Sequence, residues 1–133
     1  MVLVFSFALV ALAGAFLVAF GATALVRPPL ARRFLLGFAS SPTKHYLEIG
    51  IRLLVGAAFI KAAPSMVGTT VVSGAGWLLL VTTAVMFFMP WRVHRAFAQR
   101  AVPQALAFLP LMGLVSLAAG ATVLWAMFRV GTA

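Results

Sequence analysis

The segment from residue 2 to residue 26, VLVFSFALVALAGAFLVAFGATALV, contains no charged residue and ends at Arg27. A helix needs about 20 mostly apolar residues to cross the hydrocarbon core of a bilayer, which is roughly 30 Å thick. This segment is therefore long enough to cross a membrane. A signal peptide normally begins with a basic stretch, and none precedes Arg27, so we expect the segment to be retained.

The composition of the whole chain agrees with a membrane location. Of the 133 residues, 65% are hydrophobic and 8% are charged, whereas soluble domains carry about 25% charged residues. This excludes a soluble enzyme. The chain also lacks Cys, Asp and Asn, which removes disulfides, thiolate metal sites, aspartate-based catalytic sets and most oxygen-ligated cation sites. We expect no enzyme, no metal and no cofactor.

Three further apolar segments follow the first one. They cover about 43–63, 67–89 and 104–128, and Pro110 is expected to kink the last of them. Together with 2–26 they predict an all-α integral membrane protein, with a single four-helix transmembrane domain over residues 1–133. Only the second segment contains ionisable residues in its interior.

Basic residues predict the orientation of these segments. The chain has ten Lys and Arg residues against one acid, for a net charge of +9. Basic residues of short loops stay on the cytoplasmic side, and the two sides differ sharply here. One side holds Arg27, Arg32, Arg33, Lys44, Arg92, Arg95 and Arg100, and the other holds Lys61 and Arg129. Both termini are therefore expected on the non-cytoplasmic side, in what we interpret as a bacterial inner membrane.

Both basic connections have the pattern of short amphipathic helices at the membrane interface. In the second, Arg92, Arg95 and Gln99 lie on one face, opposite Val93, Phe97 and Ala101. In the first, an apolar stripe is formed by Leu30, Phe34 and Phe38. Two interpretations remain open, a topology signal alone or recognition of anionic lipid headgroups. The candidate lipid contacts are Arg32, Arg33, Arg92, Arg95 and Arg100. Lipid, and not nucleic acid, is the expected counter-ion.

The chain also shows signs of an internal repeat. A shift of 62 residues aligns Gly14 with Gly76, Leu17 with Leu79, Pro28 with Pro90 and Arg33 with Arg95. A shift of 64 aligns Leu53, Gly56 and Ala57 with Leu117, Gly120 and Ala121. The alignment predicts two tandem helical hairpins of the same orientation. Chance identity in so apolar a chain is the alternative.

One polar cluster stands out in the second segment. His45, Glu48 and Arg52 are spaced i, i+3 and i+7, so they share one helical face. Counted from Pro42 and from Pro90, Arg52 lies at the same depth as Thr82 and Thr83 of the third segment. The cluster is either a structural ion pair that joins helices or a site for a ligand or proton. Neither His45 nor His94 has a second ligand at metal spacing.

Two function classes are compatible with this sequence. The first is a non-enzymatic accessory, scaffold or assembly component that contacts anionic lipids or a membrane partner. The alternative is a small transporter or channel, with Glu48 and Arg52 lining a site open to the cytoplasm. Pairs of small residues, such as Ser116 and Gly120, allow close helix packing within one chain or in a homo-oligomer.

Overall fold

In the computed structural model of the chain, the residues described are 1–37 and 41–129, and their regular elements are all helical. This confirms the all-α prediction. The helices are α1 (Val2–Val26), α2 (Pro28–Gly37), α3 (Pro42–Ala62), α4 (Thr69–Phe88), α5 (Trp91–Leu106) and α6 (Leu109–Phe128). A short 3₁₀ helix, Ala63–Ser65, joins α3 to α4.

Three helices of the described segments, α1, α4 and α6, are long and apolar enough to cross a membrane. Large apolar side chains on all three remain exposed, among them Leu12, Leu78 and Leu111, as expected where lipid rather than protein covers a helix. Helix α3 has 21 residues but carries four charged side chains, and it does not belong to this apolar set. The fold is thus that of an all-α membrane protein.

The four long helices lie side by side in the order α6, α1, α3, α4. Helix α1 packs against α6 on one side and against α3 on the other, and α3 packs in turn against α4. The outer helices α6 and α4 each pack extensively against only one long helix. Helices α2 and α5 contact each other, so the two basic connections lie at the same end of the molecule.

The contact between α1 and α6 depends on glycine. A β-carbon placed on Gly120 would lie 2.6 Å from the carbonyl oxygen of Gly14 and 2.8 Å from atoms of Val18. One placed on Gly21 would lie 2.6 Å from the carbonyl oxygen of Gly113. These distances are far shorter than van der Waals contact, so the two backbones approach as closely as they do because the side chains are absent. The small residues therefore serve packing within one chain.

The contact between α3 and α4 repeats this arrangement with the residues that the sequence alignment pairs. A β-carbon on Gly76 would lie 2.8 Å from the carbonyl oxygen of Gly56, and these two glycines align with Gly14 and Gly120. A β-carbon on Gly56 would meet Leu80, and Leu80 aligns with Val18. We call these two contacts the α1–α6 seam and the α3–α4 seam. They are built alike, and each joins one half of the chain to the other half.

The last long helix begins later than the sequence suggests. The structure ends α5 at Leu106 and starts α6 at Leu109, so residues 104–106 belong to the basic connection and not to the fourth apolar segment. Pro110 lies in the first turn of α6, where a missing N–H is tolerated because it has no partner within the helix. The expected kink is therefore wrong: Pro110 helps to start the helix instead of bending it.

Candidate functional site

The site begins at the amino end of α3, where the chain is fixed by a helix cap. The Ser41 hydroxyl accepts a hydrogen bond from the Lys44 backbone N–H at 3.2 Å, and Pro42 occupies the first turn. Both features favour a helix start at this point. The start fixes the register of the following turns, which direct His45, Glu48 and Arg52 toward α4 and α5.

Arg52 connects α3 to α4 through its guanidinium group. Its Nε donates to the Thr83 hydroxyl at 2.9 Å, and its Nη2 donates to the Thr82 hydroxyl. Its Nη1 lies 3.8 Å from Oε1 of Glu48. Each of the three guanidinium nitrogens thus has a partner, and the structure brings together the cluster residues of the second and third segments.

The two threonines are oriented to accept these bonds. The Thr83 hydroxyl donates to the Leu79 carbonyl of its own helix, and the Thr82 hydroxyl donates to the carbonyls of Leu78 and Leu79. Each hydroxyl hydrogen is therefore directed along α4, which leaves the oxygen lone pairs available to Arg52. Thr83 is fully buried, whereas Glu48 and Arg52 keep about a quarter of their side chains exposed, at 23% and 26%.

His45 has a partner that the sequence does not predict. Its Nδ1 lies 2.7 Å from Nδ1 of His94 in α5, a hydrogen-bond distance in which one imidazole donates and the other accepts. His45 is completely buried, and its Nε2 has no hydrogen-bond partner. The only signal in the sequence is that each histidine follows a helix-starting proline within four residues, Pro42 and Pro90, on the same basic side.

The surroundings of His94 favour its neutral form. Burial lowers the pKa of His94 below 6.5, the neighbouring His45 and Arg52 lower it further, and Glu48 raises it. The unfolded chain therefore binds the proton more tightly than the folded chain. The contribution of this residue to stability is complete above about pH 6.5 and decreases as the pH falls through the lowered pKa.

These contacts limit the chemistry of the site. Among residues 1–37 and 41–129, no three His, Asp or Glu side chains are close enough together to hold a metal ion. The cluster can neutralise charge, share hydrogen bonds and exchange protons. Two of the five N–H donors of Arg52 bind the threonines and Glu48 balances its charge, so a second anion there would compete with Glu48.

The candidate lipid contacts are distributed over α2 and α5, and all five arginines are exposed. Arg95 also lies over the ring of Trp91, with its guanidinium carbon 6.0 Å from the ring centroid, at the limit for a cation–π contact. The exposed candidates are Arg32, Arg33, Arg92, Arg95 and Arg100.

Helix α2 packs against the rest of the protein on the face that carries Ala31 and Leu35. Ala31 is buried and Leu35 packs beside it, while Leu30 and Phe34 of the predicted apolar stripe stay partly exposed. Phe34 nevertheless contacts the rings of two α1 side chains. The third member of that stripe, Phe38, lies outside the described residues.

Helix α5 is more weakly attached, since none of its described side chains is fully buried. His94 and Ala98 are half-buried on the side that faces the protein. Val93 and Phe97 of the predicted apolar face are exposed. His94 thus provides a specific polar link between this helix and α3.

A cleft lies between α2 and the start of α3. It has a volume of about 350 Å³ and is lined by Arg33, Phe34, Gly37, Lys44 and Leu47. The cleft is open to the surface and its walls are almost entirely apolar, so the exposed Arg33 and Lys44 line it through their carbon atoms. The single acid of the chain, Glu48, is paired with Arg52 elsewhere, so neither cation of the cleft is neutralised by it.

Replacing Thr83 by valine tests whether Arg52 is held as described. Thr83→Val keeps the shape of the side chain but removes the acceptor of the Arg52 Nε bond. We expect the free energy of unfolding to fall by about 1–2 kcal/mol, because a partly buried donor loses its partner. Thermal unfolding in one fixed detergent measures this. Thr122→Val is the control, because the Thr122 hydroxyl bonds only to a carbonyl of its own helix. Equal losses in the two variants would contradict the assignment.

Comparison of the chain with protein-family models, with curated proteins and with solved structures gives no match. Its function must therefore be argued from the contacts themselves.

Proposed function

We propose that this chain is a non-enzymatic membrane protein, an accessory or scaffold component whose basic end binds anionic lipid headgroups. In this proposal four helices cross the membrane, α3 being the fourth, and α2 and α5 lie at the interface. The membrane is a bacterial inner membrane with both termini on the non-cytoplasmic side, because seven basic residues lie in or next to the two connections and two at the other end.

The observation that carries this proposal is the cleft between α2 and α3. Its walls are apolar, with Phe34 and Leu47 among them, and the exposed Arg33 and Lys44 carry two positive charges beside it. A phospholipid presents the same combination, a phosphodiester next to acyl chains. Basic pockets of this kind, on the cytoplasmic side of helical membrane proteins, suit anionic headgroups.

The other exposed arginines support the same conclusion. Arg32, Arg92, Arg95 and Arg100 lie on the two short helices that contact each other at this end. Val93 and Phe97 provide exposed apolar side chains on α5. A basic helix with exposed apolar residues binds an anionic leaflet through both charge and buried apolar area.

We do not extend the proposal to transport. A transported anion would need the guanidinium of Arg52, where it would compete with Glu48 for the positive charge. The hydrogen bonds from Arg52 to Thr82 and Thr83 tie α3 to α4, as expected of a protein whose role is to hold a fixed surface for lipids or for a membrane partner.

Removing the two charges of the cleft tests lipid binding. In Arg33→Gln/Lys44→Gln, we expect affinity for phosphatidylglycerol to fall roughly 30-fold, since each basic residue near an anionic surface contributes about 1 kcal/mol. Native mass spectrometry of the detergent-solubilised protein, titrated with phosphatidylglycerol, measures the bound lipid.

The matched control removes two charges from the opposite end, in Lys61→Gln/Arg129→Gln. This variant should bind phosphatidylglycerol as the parent chain does. Neither the parent chain nor this variant should retain phosphatidylcholine. If both double variants lose lipid equally, attraction to net charge accounts for the binding, and the cleft is not a site.

A further inference from the structure

The two seams provide an internal comparison for the polar cluster. The alignment of the two halves pairs His45 with Leu109, Glu48 with Met112, Arg52 with Ser116 and Thr83 with Gly21. Every ionisable member of the cluster within α3 thus corresponds to an uncharged residue in α6. The comparison shows what the same helix packing looks like without charge.

The hydrogen bonds of the two seams correspond as well. In the α1–α6 seam, the Ser116 hydroxyl donates directly to the Leu17 carbonyl at 2.7 Å. In the α3–α4 seam, Arg52 donates to Thr83, which donates to the Leu79 carbonyl. Leu17 and Leu79 are aligned residues. An uncharged hydroxyl therefore makes the link that Arg52 and Thr83 make together, and close helix packing of this kind does not require an ion pair.

The contacts to the short helices differ in the same way. Leu109 packs with Ala31 of α2 in a small buried apolar cluster. His45, which aligns with Leu109, instead contacts His94 of α5 through its ring nitrogen. One short helix is thus joined to its long helix by apolar contact, and the other by two titratable side chains.

We propose that the His45–His94 pair is a proton-binding site that controls how firmly α5 is attached to α3. The pair shares one proton between the two Nδ1 atoms at neutral pH, and α5 is held in place. Uptake of further protons in acid charges the imidazoles and loosens α5. The two histidines thus make the attachment of α5 to α3 depend on pH.

The geometry explains why the pair responds to protons. With both rings neutral, one Nδ1 carries hydrogen and the other offers a lone pair, which gives the 2.7 Å contact. A first added proton binds at a free Nε2, such as the unpartnered and buried one of His45, and places a charge where water is excluded. A second added proton gives both Nδ1 atoms a hydrogen, and the shared bond is lost.

The charged groups around the pair come from three helices. On α3, Glu48 attracts a protonated imidazole while Arg52 repels it, and Glu48 is already paired with Arg52. On α5 itself, the exposed Arg92 and Arg95 lie within two residues of His94, and α2, which contacts α5, carries the exposed Arg32 and Arg33. Helices α4 and α1 carry no ionisable side chain. Burial lowers the pKa of His94 more than the attraction of Glu48 raises it, which opposes protonation at neutral pH.

Histidine-selective nitrogen NMR tests proton binding, because the chain has two histidines in all. The full chain in nanodiscs, with ¹⁵N-labelled histidine, should show two neutral rings at pH 7.5, one protonated at Nδ1 and the other at Nε2. His94 should titrate below pH 6.5, because burial lowers its pKa, and His45→Gln should shift that titration. A ring that is charged at pH 7.5, or a titration of His94 that is the same in His45→Gln, would overturn the proposal.

A distance measurement tests the movement of α5. The chain has no Cys, so spin labels can be attached at Gln99→Cys on α5 and Leu54→Cys on α3, both exposed positions. Between pH 7.5 and pH 5 the distance distribution should broaden and lengthen. A control pair on α2 and α6, Leu36→Cys and Leu114→Cys, should not change, because an apolar contact joins these helices.

The decisive variant copies the apolar contact of the other half. In His45→Leu/His94→Ala, the distance between α5 and α3 should be the same at both pH values, and the spectra at pH 7.5 should match those of the labelled parent. A pH response that persists in this variant would overturn the proposal, as would its absence in the parent protein.

Discussion

Replacing Glu48 alone by methionine is expected to lower the free energy of unfolding by about 3 kcal/mol, the cost of a charge without a partner among apolar helices. Glu48 lies 3.8 Å from Arg52 and is the only acid in the chain. No other side chain can neutralise Arg52. Its bonds to Thr82 and Thr83 remain, but a hydroxyl does not compensate a full charge.

The same substitution should be tolerated when Arg52 is also removed. Glu48→Met/Arg52→Ser gives α3 the residues that α6 has at the aligned positions, Met112 and Ser116. Because the α1–α6 seam packs closely with those residues, we expect the double variant to lie within about 1 kcal/mol of the parent chain. Each single variant, Arg52→Ser included, should be less stable than the double.

Unfolding of the four proteins in one lipid and detergent mixture gives the double-mutant cycle. A double variant that is as unstable as the sum of its singles would mean that the α3–α4 seam needs the ion pair for packing. Recovery in the double variant would mean instead that the pair can be removed without loss of the fold.

The sequence allows the helices to be predicted more readily than the links between them. The apolar run 2–26 matches α1, residue for residue, since an uncharged segment ended by Arg27, Pro28 and Pro29 has few alternatives. The depth of Arg52 relative to Thr82 could also be estimated, because both were counted from a proline along a regular helix.

The link between His45 and His94 could not be predicted in this way. These residues are 49 positions apart, and their contact depends on how α5 folds back against α3. Helical spacing relates residues within one helix and does not predict how two helices fold against each other. The start of α6 is hidden in the sequence for a similar reason, because no charged residue marks the break between Leu106 and Leu109 that separates α5 from α6.

A second large loss of stability is expected when a glycine of the α1–α6 seam is enlarged. Gly120→Leu is expected to lower the free energy of unfolding by about 3 kcal/mol or more, beyond the usual range for overpacking. The added β-carbon alone would lie 2.6 Å from the Gly14 carbonyl oxygen and 2.8 Å from the Val18 backbone nitrogen. Both atoms belong to a helical backbone, which cannot rotate aside as a side chain can, so α1 and α6 have to separate.

Two comparisons distinguish this explanation from a general effect of leucine in a membrane helix. A β-carbon on Gly74 of α4 would meet nothing within 4 Å, so Gly74→Leu should leave the stability nearly unchanged. Gly56→Ala should cost less than Gly120→Ala, because its nearest contact, at 2.8 Å, is the end of the flexible Leu80 side chain. Unfolding in a fixed detergent ranks these variants. If Gly120→Leu lowers the free energy of unfolding no more than Gly74→Leu does, close backbone approach does not stabilise the α1–α6 seam. The correspondence between the two seams would then have no physical basis.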